Sequence, residues 1–434
     1  MMSHAPAVED PAVLPRIPTE FRYWDRVADR RVQLARKAWK AVWRFDPQPS
    51  DELVRAFAAD YYAADPVAEA FVDEVYLQRG AKEGRRLLDQ AIEHGIDSVP
   101  DAPASMVALF EEFERDPEWL DREQLELGAR VFRRWGTAVF SFATTSTLEM
   151  YSESSITMPL SLTGGYAGDT AHKRQLETTR FWIDVSEPGG LDRRTGATDP
   201  SSPIGRGRAT AMRVRVMHVF IRRRLVRHEE WDFDAWGMPI SISDATLTLM
   251  GGSTVPGLAL WSLGHQTTIR EIEATLHYWR YVGHLLGVQP AWYPESFEDS
   301  IRLMFAAFVK RAHAAGRHGE ELVESYLPAF RPTPGSPLRK RLRDEVNYRV
   351  QIGYTRFWSL PLTYRRHRMP FPWPWALHPL LQFPLNMTLE TCRRLLPPLD
   401  GAADRVQRWR RESWYRNETG GRDAEFQPVE EFRR

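Results

Sequence analysis

From Arg30 onward, apolar side chains return every third or fourth residue, which is the spacing of one helix face and not of a strand. The pattern predicts helices over Arg30 to Trp43 and over Asp51 to Tyr62, the second opened by Ser50 as N-cap. Glu69 to His94 reads as two helices broken near Gly80. Ala104 to Arg115, Arg122 to Tyr151, Asp169 to Val185, Arg208 to Arg227, Ile269 to Leu286 and Glu295 to Ala315 complete the series. Asn-Gly hairpin signals are missing and alternating runs are short, so the fold class is all-α.

A chain of 434 residues with 43% hydrophobic and 27% charged residues can bury a core. Fifty-eight basic residues balance 58 acidic ones, so no bulk attraction to nucleic acid is expected. The single cysteine, Cys392, excludes multi-thiolate zinc sites, iron–sulfur clusters and covalent haem attachment. The N-terminal segment carries Glu9, Asp10 and several prolines where a signal peptide needs a basic end and an apolar run. Met369 to Met387, the nearest approach to a spanning segment, is interrupted by five prolines. The expectation is a cytoplasmic protein, soluble or attached to a membrane surface.

Composition divides the chain into an arm with its first helix (1–45), a helical body (46–330) and a C-terminal appendage (331–434). The last boundary is marked by Pro332, Pro334, Gly335 and Pro337, after which Arg, Trp, Phe and Pro accumulate. Glu187 to Gly207 is a loop long enough to be functional.

The stretch Arg206 to His228 holds eight arginines and no acid. It reads as a solvated basic face unless spacing says otherwise. Arg215, His218 and Arg222 stand at i, i+3 and i+7 and so share one face, with Met217, Phe220 and Ile221 beside them. A buried His between two Arg on a partly apolar face needs an anionic partner. A b-type haem meets that need: its iron takes a neutral imidazole, its propionates take guanidinium groups and its ring takes apolar walls. From spacing alone, a core histidine beside structural Arg–carboxylate pairs is the reading to prefer.

Leu53 to Leu327 resembles the family of latex-clearing rubber oxygenases and MpaB-type oxygenases. The resemblance rests on blocks in order: GRRLLDQAIEHGIDSVPDAPASMVALFEEFERDPEWLD, the helix ending TLEMY, Arg174-x-x-x-Thr178 with Phe181 and Val185, Arg215-x-x-His218-x-x-x-Arg222, WDFDAWGMPIS, and EIEATLHYWRYVGHLLGV. It implies a globin-like helical core enlarged with additional helices. It also implies haem b as cofactor, with His218 as iron ligand and Arg215 and Arg222 as propionate or structural partners. Arg174 and Thr178 match the family's pair near the haem, and Glu177 stands where some rubber oxygenases have a lysine. Glu177 could be a base, a pocket carboxylate or solvent-facing. Glu149 and Glu153 are candidates for an acid near the oxygen site. The activity implied is haem-dependent oxygenation of an apolar olefin, isoprenoid or lipid-like, with O2, ending in cleavage of the C=C bond. The alternative is a non-catalytic haem- or lipid-binding protein of the same fold.

Leu247, Leu249, Met250, Val255, Leu258, Leu260 and Trp261 could wall an apolar tunnel or belong to the core. Glu273, His277 and His284 lie near one stripe of a helix and could contribute to a non-haem metal site, although no ExxH partner helix is present. Arg365, Arg366, Arg368, Phe371, Trp373 and Trp375 mix cations with interfacial aromatics. They suit peripheral membrane contact or a strap whose aromatics pack on the body. RRESWYR near the C-terminus reads as a solvated helix end.

Overall fold

The computed structural model describes residues 16–164, 170–193, 204–396 and 398–422. The outer N-terminal arm, the centre of the 187–207 loop and the final residues lie outside the described residues. Helices are the regular elements throughout, and no strand occurs among the described residues. The body is built in chain order from α1 (Arg30–Trp43), α2 (Asp51–Ala59), α3 (Pro66–Phe71), α4 (Ala81–His94), α5 (Ala104–Glu114), α6 (Arg122–Arg134), α7 (Ala138–Met150) and α8 (Ser154–Leu162). There follow α9 (Thr170–Ser186), α10 (Arg206–Leu225), α11 (Ile242–Gly251), α12 (Ile269–Leu285), α13 (Phe297–Val309), α14 (Gly316–Tyr326), α15 (Leu338–Trp358), α16 (His378–Leu395) and α17 (Pro398–Thr419).

Helix starts follow side-chain chemistry. Ser50 accepts from Leu53 N, Asp121 from Glu123 N and Gln124 N, and Ser296 from Asp299 N. Thr268 and Glu271 form a reciprocal capping box at the start of α12. Asp65 caps α3, and Pro66 at the first helical position loses no hydrogen bond. Between α3 and α4 the chain continues as a π-helical turn, Val72–Leu77.

The expected continuous helix over Arg122 to Tyr151 is two helices. Gly136 adopts φ +61°, in the left-handed region, and ends α6. Trp135 is fully buried there, its indole N–H donating to Thr267 Oγ1 at 3.0 Å. α8, α11, α14, α15 and α16 were not expected as elements, and of α17 only the stretch RRESWYR was read as helical.

α6 and α12 cross at the centre. Gly128 lies so close to α12 that a Cβ would sit 2.1 Å from the Ala274 carbonyl oxygen, so the closeness of this crossing depends on a missing side chain. A second backbone-to-backbone approach joins α9 and α10, where a Cβ on Gly207 would come within 2.5 Å of the Asp184 carbonyl. Because α10 starts where α9 ends, the two run antiparallel. Arg174 lies ten residues back along α9 and His218 eleven residues forward along α10, each roughly 15 Å from the crossing at 1.5 Å per residue. The pairing therefore carries both to one level.

The segment after 331 is joined to the body by buried polar contacts. Tyr354 stacks on Trp358, which meets Phe142 of α7 edge-on. Arg133 of α6 donates to Asp404 at 2.7 Å, and Arg180 of α9 to Glu412 at 2.9 Å. RRESWYR is not a solvated helix end: Arg411 is fully buried and donates to Ser186 Oγ at 2.8 Å, and Tyr415 is buried beneath it. Burial pushes the Arg411 guanidinium down to about 10. The aromatics expected to strap the body do not all do so, because Phe371 and Trp373 are exposed.

Candidate active site

α10 is buried along most of its length, which an exposed basic face would not be. Its arginines are distributed among carboxylates on other helices. Arg213 reaches Asp89 of α4 at 2.8 Å, and Arg223 forms a two-point pair with Asp73 at 2.8 and 2.6 Å. The bland basic-face reading therefore fails at the residues that matter.

The face carrying Arg215, His218 and Arg222 divides by function. Arg215 is buried and takes Asp65 at two points, 2.7 and 2.9 Å, and Glu112 at 2.7 Å. Of the two roles expected for it, this geometry fills the structural one, fastening α10 to α3 and α5. Arg222 is also buried, donating through Nε to the Pro239 carbonyl at 3.0 Å and through Nη2 to the Ile240 carbonyl at 2.7 Å. Ile240 sits at φ +53°, a costly conformation for a β-branched residue, and the Arg222 clamp helps hold it. The remaining Nη1 of Arg222 is buried and lies 3.5 Å from Glu69 Oε1 without a hydrogen bond.

His218 differs from both. Neither ring nitrogen is hydrogen-bonded among the described residues, and neither is sealed from accessible space. Yet the ring is enclosed by protein. Its pKa falls to about 4 through burial, then through the positive charges of Arg222 and Arg174. The side chain is half-buried and keeps accessible surface. The imidazole is thus neutral at physiological pH and has a nitrogen lone pair free. Met217 beside it packs into an apolar cluster with Met158 and Leu162 of α8 and Ile221, Leu225 and Trp231.

α9 contributes the rest. Arg174 acts electrostatically on His218 and donates to Glu177 Oε2 at 2.9 Å. Glu177 is buried, which removes the solvent-facing alternative and makes it the counter-ion of Arg174. Thr178 is exposed, its hydroxyl donating to the Arg174 carbonyl at 3.1 Å.

The other candidates are committed elsewhere. Glu149 accepts from Leu360 N at 3.0 Å and from Thr363 at 2.9 Å. Glu153 is buried against Lys310 at 3.1 Å, beside a second buried pair in which Tyr61 donates to Asp244 at 3.0 Å. Burial raises the Asp244 carboxyl above its ordinary range. His277 Nε2 accepts from Asp121 N, His284 contacts Gln289 and the Arg115 carbonyl, and Glu273 accepts from Phe297 N. These three thus serve helix ends and loops. Leu247, Leu249, Met250 and Leu260 are buried in the main core.

A cavity of about 540 Å³ opens between α9, the start of α10 and α17. Its walls include Arg180, Asp184, Arg206, Arg408 and Glu412, several of them ion-paired. Arg206 is twelve residues from His218, roughly 18 Å along the helix. Ion pairs are costly to strip of water, so this cavity suits no apolar substrate.

Residues 129–416 match the family model of the catalytic domain of ER-bound oxygenase mpaB/B′ and rubber oxygenase. The chain belongs to this oxygenase family. It is accordingly an oxidoreductase that uses O2 on a small-molecule substrate. A rubber oxygenase from Streptomyces sp. (strain K30) is 24% identical over 332 residues, covering 71% of this chain and 76% of its own. The solved structure of a latex clearing protein in its closed state shares the fold, with TM-score 0.51 and 19% identity over 76% of this chain and 91% of that one. The family match spans α9, α10 and the His218 site, and it runs on through α17 as far as Arg416.

The residues that the sequence did not single out are the counter-ions. Asp65 had a signal, since Asp followed by Pro at a helix start marks a cap. Glu112 and Glu69 had none, because a charged residue on an amphipathic helix looks alike whether it meets water or a buried guanidinium.

Proposed function

We propose that this oxygenase binds haem b through His218 and uses O2 to cleave a C=C bond of an apolar, isoprenoid or lipid-like olefin. The observation that carries the reading is the state of His218: enclosed, neutral, free of protein partners and bordering accessible space. Buried polar groups normally find partners, so an uncommitted imidazole here points to a ligand. The residues present fit that group. His218 supplies the neutral nitrogen donor, Arg222, whose Nη1 lies 3.5 Å from Glu69 without a hydrogen bond, is the guanidinium proposed to meet an acidic substituent, and the Met217–Ile221 cluster supplies an apolar wall. His218 would hold the haem iron, and the bound group would supply the O2 activation that the reaction needs.

The chain's own groups have definable tasks. Burial, and after it the charges of Arg222 and Arg174, keep a proton off His218, because a charged imidazole out of water and beside two guanidinium groups is disfavoured. Glu177 neutralises Arg174 and fixes its direction. The hydroxyl of Thr178 stands one turn from Arg174 and is proposed, with Glu177, to line the reaction space. Substrate binding comes chiefly from buried apolar area, at about 25 cal/mol per Å². The Streptomyces relative acts, by its name, on rubber, a polyolefin; the substrate proposed for this chain is of that chemical class.

The test is a visible spectrum of the purified protein followed by O2 uptake on adding an isoprenoid olefin. A Soret band with uptake supports the reading. A Soret band without uptake supports the non-catalytic carrier, and neither signal removes haem from the proposal. Within this reading, Arg222→Ala weakens haem retention more than Arg223→Ala, since Arg223 points to Asp73. Arg222→Ala also releases the Ile240 turn, at a cost of roughly 1–3 kcal/mol. Haem titration and urea melts of both variants check this, and equal haem losses contradict it.

A further inference from the structure

α16 is amphipathic with its faces reversed. At about 100° per residue, Gln382, Asn386, Glu390 and Arg393 fall within one arc of roughly 80°. That polar arc faces the protein. Gln382 donates to Tyr354 Oη at 2.7 Å and Asn386 to the Leu263 carbonyl at 2.9 Å. Glu390 is buried against Arg134 at 3.2 Å and Arg393 at 2.7 Å. The rest of the circumference carries Leu380, Leu381, Leu385, Leu389 and Leu395 over an arc of roughly 180°, exposed by 50, 72, 59, 54 and 74%. A surface helix normally turns its leucines inward and its polar side out. More than half of the large exposed apolar side chains among the described residues lie between 360 and 399, Phe371 and Trp373 among them. An apolar surface of that extent calls for a non-aqueous neighbour.

Charge narrows what the neighbour is. Between residues 359 and 399 the only acid is Glu390, and it is buried. Arg365, Arg366, Arg368 and Arg394 lie in the same stretch; Arg366 pairs with Glu320 and Arg394 with Glu271, while Arg365 and Arg368 make no ion pair among the described residues. Basic side chains beside exposed leucines and interfacial aromatics suit an anionic bilayer surface. A second copy would bring two basic rims together, which is repulsive. No described helix is long and apolar enough to cross a membrane, so the contact is in the plane of the surface.

We propose that the outward face of α16, with the Arg365–Trp373 segment before it, docks this protein on anionic membranes. The proposal does not depend on the cofactor reading. The test is flotation of the full-length protein with vesicles of phosphatidylcholine alone and of phosphatidylcholine with phosphatidylglycerol. The wild-type protein is expected to float with the anionic vesicles and to detach as salt is raised. Leu381→Glu with Leu385→Glu abolishes flotation with the melting temperature unchanged, since both side chains are exposed. Arg365→Gln with Arg368→Gln lowers affinity for anionic vesicles by roughly tenfold or more, two charges near the surface being lost. Failure of the wild type to float with either vesicle overturns the proposal. So does light scattering that finds a dimer converted to monomer by the leucine variants, because a second copy would then cover the face.

Discussion

His218→Ala is expected to purify without a Soret band while keeping the helical circular-dichroism signal and the melting curve of the protein without cofactor. The imidazole makes no hydrogen bond among the described residues, so its removal deletes no internal contact of that kind. Its enclosure beside Arg222 and Arg174 keeps it neutral, with a pKa near 4, and a neutral imidazole is the form that ligates iron. Loss of the nitrogen proposed to hold the iron should lower haem retention by a hundredfold or more, on the order of 3 kcal/mol. Spectral titration with haem measures it. A variant that retains haem with an unchanged Soret band reassigns the ligand, and one that unfolds makes His218 a structural residue.

Asp65→Ala should cost about 3–5 kcal/mol of stability, the largest loss expected from any single truncation discussed. Asp65 holds Arg215 at two points inside the protein and caps α3 through Ala68 N. Gly287 closes the pair off: at φ +73° it lies where a Cβ would stand 2.1 Å from Asp65 Oδ2. Removing the carboxylate leaves a buried guanidinium with Glu112 as its remaining acid, the situation in which breaking a buried pair is most costly. The lost cap adds about 1 kcal/mol. Urea denaturation measures the loss. Replacing both partners, Asp65→Ala with Arg215→Met, should recover part of it, because no unpaired charge is then buried. A single-variant cost below 1 kcal/mol would mean that water reaches the pair.

How far the sequence predicted this structure depends on the kind of signal. Helix α1 was legible to both ends because its apolar spacing is regular over fourteen residues. The break at Gly136 was not, since one glycine amid Trp135, Ala138 and Val139 leaves the apolar pattern intact, and only the left-handed backbone reveals the turn. α16 escaped notice because its prolines look like breakers, although Pro379 and Pro384 sit inside it. At the site, i, i+3, i+7 spacing placed Arg215, His218 and Arg222 on one face. It could not say that Arg215 was already taken, because Asp65 is 150 residues away in sequence. Arg174 and His218 were linked by family resemblance alone. Their shared level follows from the antiparallel pairing of α9 with α10, which no local pattern encodes.

The buried contacts of α17 bear on how the protein is made. Arg133 meets Asp404 across 271 positions and Arg411 meets Ser186 across 225. A ribosome releases α6 and α9 long before α17 exists, so during synthesis Arg133 waits without that carboxylate and the groove on α6 and α9 stays open. Contacts of such long range form late and slowly. The nascent helical body should therefore remain loose, and in need of shielding from aggregation, until α17 emerges and fills the groove.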